Sequence, residues 1–274
     1  MIEIPESLVL AEQLNQTVRG KKIVSVETEH TEHKFAWYEG EPQAYDEKMG
    51  GQVIGNCTGI GSMVEIEVGE YSFVVGDGTN LRYYAAGEKL PERYQTSITF
   101  EDGSSLLCTV QMYGTMFLIR PQKYENPYYL AAKKKPMPGS AEFDYPYFCS
   151  LLQETSPKMS AKAFLATEQR IPGLGNGVLQ DILLESGIHP KRKLLSLQEE
   201  DCRRLYDTTV RLLQEMKDAG GRDTEKNLFG EAGGYVTKLS RKNIGYCPQC
   251  GGPVTKMAYL GGSVYFCSAC QPLA

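Results

Sequence analysis

At 274 residues the chain is long for one compact core and suits two domains of ordinary size. With 41% hydrophobic and 23% charged residues it is a folded globular protein, not a disordered one, and it lacks any run of about 18 apolar residues that would cross a membrane. The net charge of −5 is unevenly spread: residues 1–155 carry 13 Lys and Arg against 22 Asp and Glu, whereas residues 156–274 carry 16 against 12, so the second half is net basic and compatible with a nucleic-acid footprint.

The acidic start, Met1-Ile2-Glu3-Ile4-Pro5-Glu6, has neither the basic residues nor the apolar stretch of a secretion signal, and a cytoplasmic location is the expectation. Residues 5–15 read as a helix, with Leu8, Leu10, Ala11 and Leu14 spaced to face a core. From there to about residue 131 strand-like runs dominate: 22–28, 63–68, 71–75, 97–100 and 106–110 alternate or are rich in β-branched residues. Gly69-Glu70 and Asp102-Gly103 mark hairpin turns, and short strands at this spacing predict an antiparallel sandwich or barrel. Residues 133–140, three lysines followed by two prolines and a glycine, read as a linker. Helices are expected over 161–168, 177–186 and 199–219, the last amphipathic through Leu205, Val210, Leu212, Leu213 and Met216. The glycine-rich stretch 220–236 reads as a mobile loop, and no internal repeat is present.

Of eight cysteines, Cys57, Cys108, Cys149 and Cys202 are scattered and read as free thiols in a reducing compartment. Cys247-Pro-Gln-Cys250 and Cys267-Ser-Ala-Cys270 form two CxxC pairs separated by 16 residues. Four thiolates on two tight turns satisfy a tetrahedral Zn²⁺ completely, which predicts one structural zinc with no open catalytic position. Residues 254–259 and 263–266 then read as the strands of a hairpin between the pairs. A zinc ribbon alone could equally hold a protein partner.

Two further segments carry chemistry. Pro172-Gly-Leu-Gly-Asn176 lies between two predicted helices, where Gly173 and Gly175 allow backbone amides to approach a phosphate and Asn176 adds a donor. A plain helix–turn–helix corner would look the same. His189-Pro-Lys-Arg-Lys193 follows with three cationic side chains, which on a surface are usually just solvated. At the N-terminus, Glu3 and Glu6 share a helix face beside the chain end. A terminal amine with an adjacent carboxylate can form a Schiff base with an aldehyde sugar. Acidic residues there also simply favour a helix start.

In order and spacing these pieces resemble the formamidopyrimidine-DNA glycosylase and endonuclease VIII family of base-excision repair, from Met1-Ile-Glu-Ile-Pro-Glu6 through Ile171-Pro-Gly-Leu-Gly-Asn176 and Ser186-Gly-Ile-His-Pro190 to Tyr246-Cys-Pro-Gln-Cys-Gly251 and Tyr265-Phe-Cys-Ser-Ala-Cys-Gln271. The resemblance implies an α+β protein: an N-terminal antiparallel β-sandwich with a helix over 1–132, the linker 133–140, a helical domain with a helix-two-turn-helix motif over 141–236, and a zinc-finger β-hairpin over 237–274. It implies a monomer on damaged double-stranded DNA, nucleoid-associated and without a membrane partner, with a nucleotide flipped out of the duplex. Glu3 and Glu6 match the family's acidic pair, and Asn176, Gly173, Gly175, Tyr113 and Lys242 fall at DNA contacts. Other positions depart. The family's proline nucleophile is Ile2; removal of the initiator methionine needs a small second residue, so Met1 is expected to stay and to offer a primary amine one residue displaced. The family's lysine falls at Ser62, the arginine at the finger tip at Gly262, and the wedge residues at Asp77 and Met112-Tyr113. Three readings stay open: a glycosylase, monofunctional or with a weak lyase activity from the Met1 amine; a DNA-damage-binding protein without chemistry; and a protein-binding zinc ribbon.

Overall fold

Glu3 stands in extended conformation ahead of helix α1 (Ile4–Thr17), and Pro5 occupies its first turn, where a missing N–H costs nothing. Eight strands and helices follow: β1 (Ile23–Thr28), β2 (Ala36–Tyr38), α2 (Tyr45–Met49), β3 (Ile54–Ile60), β4 (Met63–Val68), β5 (Tyr71–Tyr84), β6 (Thr96–Phe100) and β7 (Ser105–Ile119). The hydrogen-bonded order is β1-β6-β7-β5-β4-β3, antiparallel throughout, with β2 added parallel to β7.

Strands β5 and β7 are far longer than the runs of 71–75 and 106–110 read in the sequence, because both continue through a bend. Residues 72–77 pair with 114–119, and residues 79–84 pair with 105–110, with the register broken between Asp77 and Thr79. Asp77 adopts φ +57°, a left-handed conformation that marks a bulge. A Cβ on Gly78 would lie 2.4 Å from the Tyr113 carbonyl oxygen, so glycine is required at the bend. One half of the folded ribbon continues into β4 and β3, the other into β6 and β1. Val64, Ile66, Phe73 and Val75 from the first half share a core with Leu81, Ile98, Phe100 and Leu106 from the second. That is the expected antiparallel sandwich, made from one bent sheet.

The computed structural model describes residues 1–273. They divide into two units: Met1–Pro127 with Gly220–Gly234, and Tyr128–Ala219 with the chain from Tyr235 onward. The second unit holds helices α3 (Pro127–Lys134, beginning at the boundary), α4 (Tyr145–Gln153), α5 (Ala161–Ala166), α6 (Leu179–Glu185) and α7 (Glu199–Asp218), then the hairpin β8 (Thr255–Tyr259) and β9 (Gly262–Phe266). Helix α3 runs into the segment read as a linker and stops before Pro136, which cannot continue it. Helix α7 buries Leu205, Leu212, Leu213 and Met216 against α4 and α6. Leu260 and Gly261, both with positive φ, make the two-residue turn of the β8–β9 hairpin.

The reading of 220–236 as a mobile loop is corrected. Residues 220–234 form a closed loop docked in the first unit. Leu228 is fully buried in the sandwich core, its N–H donating to Gln13 Oε1 at 3.0 Å and its carbonyl accepting from Tyr83 N–H at 2.9 Å. Gly233 N–H donates to the Glu225 carbonyl at 3.2 Å, and a Cβ on Gly233 would lie 2.2 Å from the Gly221 backbone. The glycines let two chain segments touch at the neck of the loop. High glycine content here signals close approach, not looseness.

Candidate active site and metal centre

The N-terminal corner of the first unit gathers five charged groups. Ile2 is buried and its N–H donates to the Asp77 carbonyl at 2.9 Å, which ties the chain start to the β5 bulge. Glu3 and Glu6 follow, both buried, with Glu3 N–H donating to Glu6 Oε2 at 3.2 Å. Arg222, only 2% exposed, enters from the docked loop. Its Nε donates to Glu6 Oε1 at 2.9 Å and its Nη2 to Glu6 Oε2 at 2.7 Å, a bidentate pair, while Nη1 lies 3.5 Å from Glu3 Oε2. Burial opposes the guanidinium's charge, but the Glu3 and Glu6 carboxylates outweigh it and hold Arg222 protonated beyond its ordinary range. The terminal amine of Met1 pairs with the Glu225 carboxylate from the same loop. Arg222 and Glu225 escape a reading of the sequence because their partners are more than two hundred positions away. The run Arg-Asp-Thr-Glu directly after Gly220-Gly221 was the available signal.

Around this corner lies an exposed aromatic surface. Tyr113 packs against Trp37, ring centroids 5.9 Å apart, and its hydroxyl approaches Met1 Sδ at 3.9 Å. Phe35, Trp37, Met112 and Met1 are all exposed. Asp77 sits at the bend beside them, and burial pushes its carboxyl above the ordinary range.

In the second unit the turn before α6 meets the hairpin. Gly173 has φ +80°, and the Gly175 carbonyl accepts from Leu179 N–H at 3.2 Å to start the helix. Asn176 is exposed, and its Nδ2 donates to the Ser263 carbonyl at 2.9 Å. Gln180, one turn on, clamps β9: its Nε2 donates to the same carbonyl at 3.1 Å and its Oε1 accepts from Tyr265 N–H at 3.0 Å. A Cβ on Gly262 would contact the Asn176 amide at 3.5 Å, an ordinary distance, so a side chain at this position meets no steric barrier. Lys242 is exposed on the segment leading to the first cysteine pair, its N–H donating to Ser240 Oγ at 3.2 Å.

The four sulfurs of Cys247, Cys250, Cys267 and Cys270 lie within 4.8 Å of one another, Cys247 to Cys270 at 3.8 Å and Cys250 to Cys267 at 3.5 Å. Tetrahedral ligation at a metal–sulfur distance of about 2.3 Å requires sulfurs about 3.8 Å apart, so the donor set fits a metal ion. The remaining cysteines form no such group: Cys57 and Cys108 are buried, and Cys149 and Cys202 are half-buried.

No family model matches the sequence. Full-length relatives do. The formamidopyrimidine-DNA glycosylases of Streptococcus pneumoniae and Bacillus licheniformis are 26% and 29% identical to the chain over 278 and 279 residues, covering 99% of each protein. Among solved structures, the Lactococcus lactis Fpg bound to DNA containing an abasic site superposes with a TM-score of 0.85 at 23% identity, covering 98% of this chain and 99% of that one. A second, MutM in complex with DNA containing carbocyclic 8-oxo-G, gives 0.82 at 24% identity. The architecture is therefore that of this class of DNA glycosylase: a bent-sheet sandwich, a helical unit and a four-cysteine hairpin. Along its whole length the chain is similar to formamidopyrimidine-DNA glycosylases, at 26% to 29% identity, and it carries Ile2 as its second residue.

Proposed function

We propose that this protein binds duplex DNA carrying a damaged base and releases that base by hydrolysis, as a monofunctional glycosylase acting in the cytoplasm, on the nucleoid. The observation that carries this reading is the ion-pair arrangement at the N-terminus. Glu3 lies beside the Arg222 guanidinium, which favours its carboxylate form, the form that accepts a proton. The Met1 amine, by contrast, is engaged by the Glu225 carboxylate, a contact it would have to break before attacking a sugar. Glu3 thus acts as general base. Water adds its oxygen to C1′ of the flipped nucleotide and gives a proton to Glu3, while the C1′–N bond breaks with its electrons leaving on the base, which solvent protonates. The product is an abasic site in an unbroken strand. Asn176 with Gly173 and Gly175 would hold phosphate, Tyr113 would fill the space of the displaced base, and Lys242 would add a cationic contact. The four cysteines would hold one Zn²⁺, whose only part is to fix the hairpin.

A DNA-binding protein without chemistry is the second reading. Two observations favour it: Glu6 is accounted for by its pairing with Arg222, and Ser62 and Gly262 stand where the family carries a lysine and an arginine. Single-turnover incubation with duplexes holding 8-oxoguanine, formamidopyrimidine, oxidised pyrimidines, alkylated purines or an abasic site separates the two. The glycosylase reading expects strand breaks only after hot alkali, lost in Glu3→Gln by at least about a hundredfold, the scale of a general base. Tight binding with no base released from any duplex would overturn it. Breaks without alkali would instead assign a lyase to the Met1 amine.

A further inference from the structure

Two cations from other segments pack against Tyr259 of the β8–β9 hairpin. Lys162, on α5, is 3% exposed, and its Nζ donates to the Tyr259 carbonyl while lying 5.8 Å from the centre of the Tyr259 ring. Lys191 Nζ lies over the same ring at 5.2 Å. The two lysines are brought together by the backbone: Ala161 N–H donates to the Arg192 carbonyl at 2.9 Å and Lys162 N–H to the Pro190 carbonyl at 3.1 Å, so the segment 189–193 lies along the start of α5. His189 anchors that segment, its ring 4.4 Å from Phe266 and its Nδ1 accepting from Lys191 N–H at 3.0 Å.

Among the described residues neither ammonium has a carboxylate partner. Buried charges are ordinarily paired, because removing them from water is costly, and a ring face compensates only part of that cost. Burial pulls the Lys162 ammonium below its usual range with nothing acidic to restore it. An anion would.

The location says which anion. Tyr259 and Gly262 are directly opposed in the hairpin register, so their side-chain directions share one face, and the position of a Gly262 Cβ abuts the Asn176 amide. The lysine-flanked tyrosine and the Asn176 turn therefore lie on the same side of the hairpin. We propose that Lys162, Lys191 and Tyr259 form a phosphodiester-binding site next to Asn176, in which Lys191 supplies the backbone contact that Gly262, lacking a side chain, cannot make. The inference rests on the DNA-binding reading above and goes beyond it by moving the cationic contact from the finger tip to a different element of the fold. Tyr259 positions the two ammonium groups; the buried Lys162 sets the local potential, and the half-buried Lys191 reaches the phosphate.

The test is the salt dependence of binding to a fluorescein-labelled duplex with a central abasic-site analogue, followed by anisotropy between 50 and 200 mM KCl. One lost phosphate contact lowers the slope of log affinity against log salt by about 0.9, and affinity at 0.1 M salt by roughly tenfold. Lys191→Gln should show both losses and Lys191→Arg neither. Gly262→Arg added to Lys191→Gln should recover the slope, since a side chain fits there. Lys162→Gln is checked for metal content and helical signal, because removing a buried cation can disturb the unit; the Lys191 variants, half-exposed, keep the test independent of that outcome. Wild-type binding with an unchanged slope in Lys191→Gln would overturn this site alone. No wild-type binding to any duplex would overturn the DNA-binding reading, and this site with it.

Discussion

The charged corner of the first unit and the charged corner of the second are built on opposite principles. At the start of α1 opposite charges meet within the chain: Arg222 serves Glu6 and Glu3, and Glu225 serves the Met1 amine. Around the β8–β9 hairpin, Lys162 and Lys191 are cations with only a tyrosine ring and a backbone carbonyl for company. The elements joining them differ in kind as well. The first corner is closed by a docked loop whose neck requires glycine at position 233; the second by a hairpin whose cysteine cluster sits at the end away from its turn. Internal neutralisation fixes the protonation state of a group in advance, which is what an acid–base role needs. Uncompensated cations store an attraction for something outside the chain, which is what a binding role needs. The first corner is thus suited to chemistry and the second to grip.

Removing the metal should break the contrast most severely. Cys250→Ser leaves three thiolates, a strong chelator leaves four without an ion, and zinc binding in such small modules supplies on the order of 10 kcal/mol. Zinc content should fall to nothing and DNA affinity with it, while the first unit keeps its β-sheet signal by circular dichroism. Retained affinity in a metal-free protein would remove the hairpin from the binding surface.

Arg222→Met comes next. It leaves Glu3 and Glu6 buried without a counter-charge, at a cost of about 3–5 kcal/mol in thermal or denaturant unfolding. Base release should fall even where the protein remains folded. A variant as stable as the parent at pH 8 would mean that the corner is solvated, not sealed.

Asp77→Asn is the gentlest change. Burial raises the Asp77 carboxyl above its unfolded value of 3.8, so the folded state binds more protons than the unfolded one and stability falls as pH rises through the folded pKa. The substitution should therefore stabilise the protein modestly at neutral pH, with the gain vanishing below the unfolded value near pH 3.8. Equal effects at pH 7 and pH 3.5 would show that Asp77 is not desolvated. If Asp77 faces DNA, the same variant should also bind a duplex more tightly.

Local signals were legible from the sequence and distant ones were not. The two CxxC pairs, the amphipathic stripe of α7 and the glycine turn before Asn176 each repeat a short spacing that physics ties to one structure. The short aromatic helix α4 is not legible in the sequence because nine residues give too little periodicity to register, although Asp144 caps it by accepting from Tyr147 N–H. The bend in β5 and β7 was missed because Gly76-Asp77-Gly78 reads as the end of a strand, whereas cross-strand pairing carries it through. Likewise Leu228 amid glycines gave no hint that it belongs to a core assembled from residues far away in sequence. At the candidate site, Glu3 and Glu6 were found by their place in a motif, while Arg222, which determines how they behave, lies 216 positions from Glu6.

That last separation matters for a chain made from its N-terminus onward. Glu3 and Glu6 are among the first residues to leave the ribosome, yet the guanidinium that neutralises them is translated after four-fifths of the protein. Until then the sandwich lacks Leu228 from its core and the Arg222 guanidinium beside Glu3 and Glu6, so it cannot reach its final stability while synthesis is under way. The docked loop is thus a late fastener. The first unit closes only after the helical region has been made, and a chain truncated before residue 220 would carry a nearly complete β-sandwich that has no means of sealing its own N-terminus.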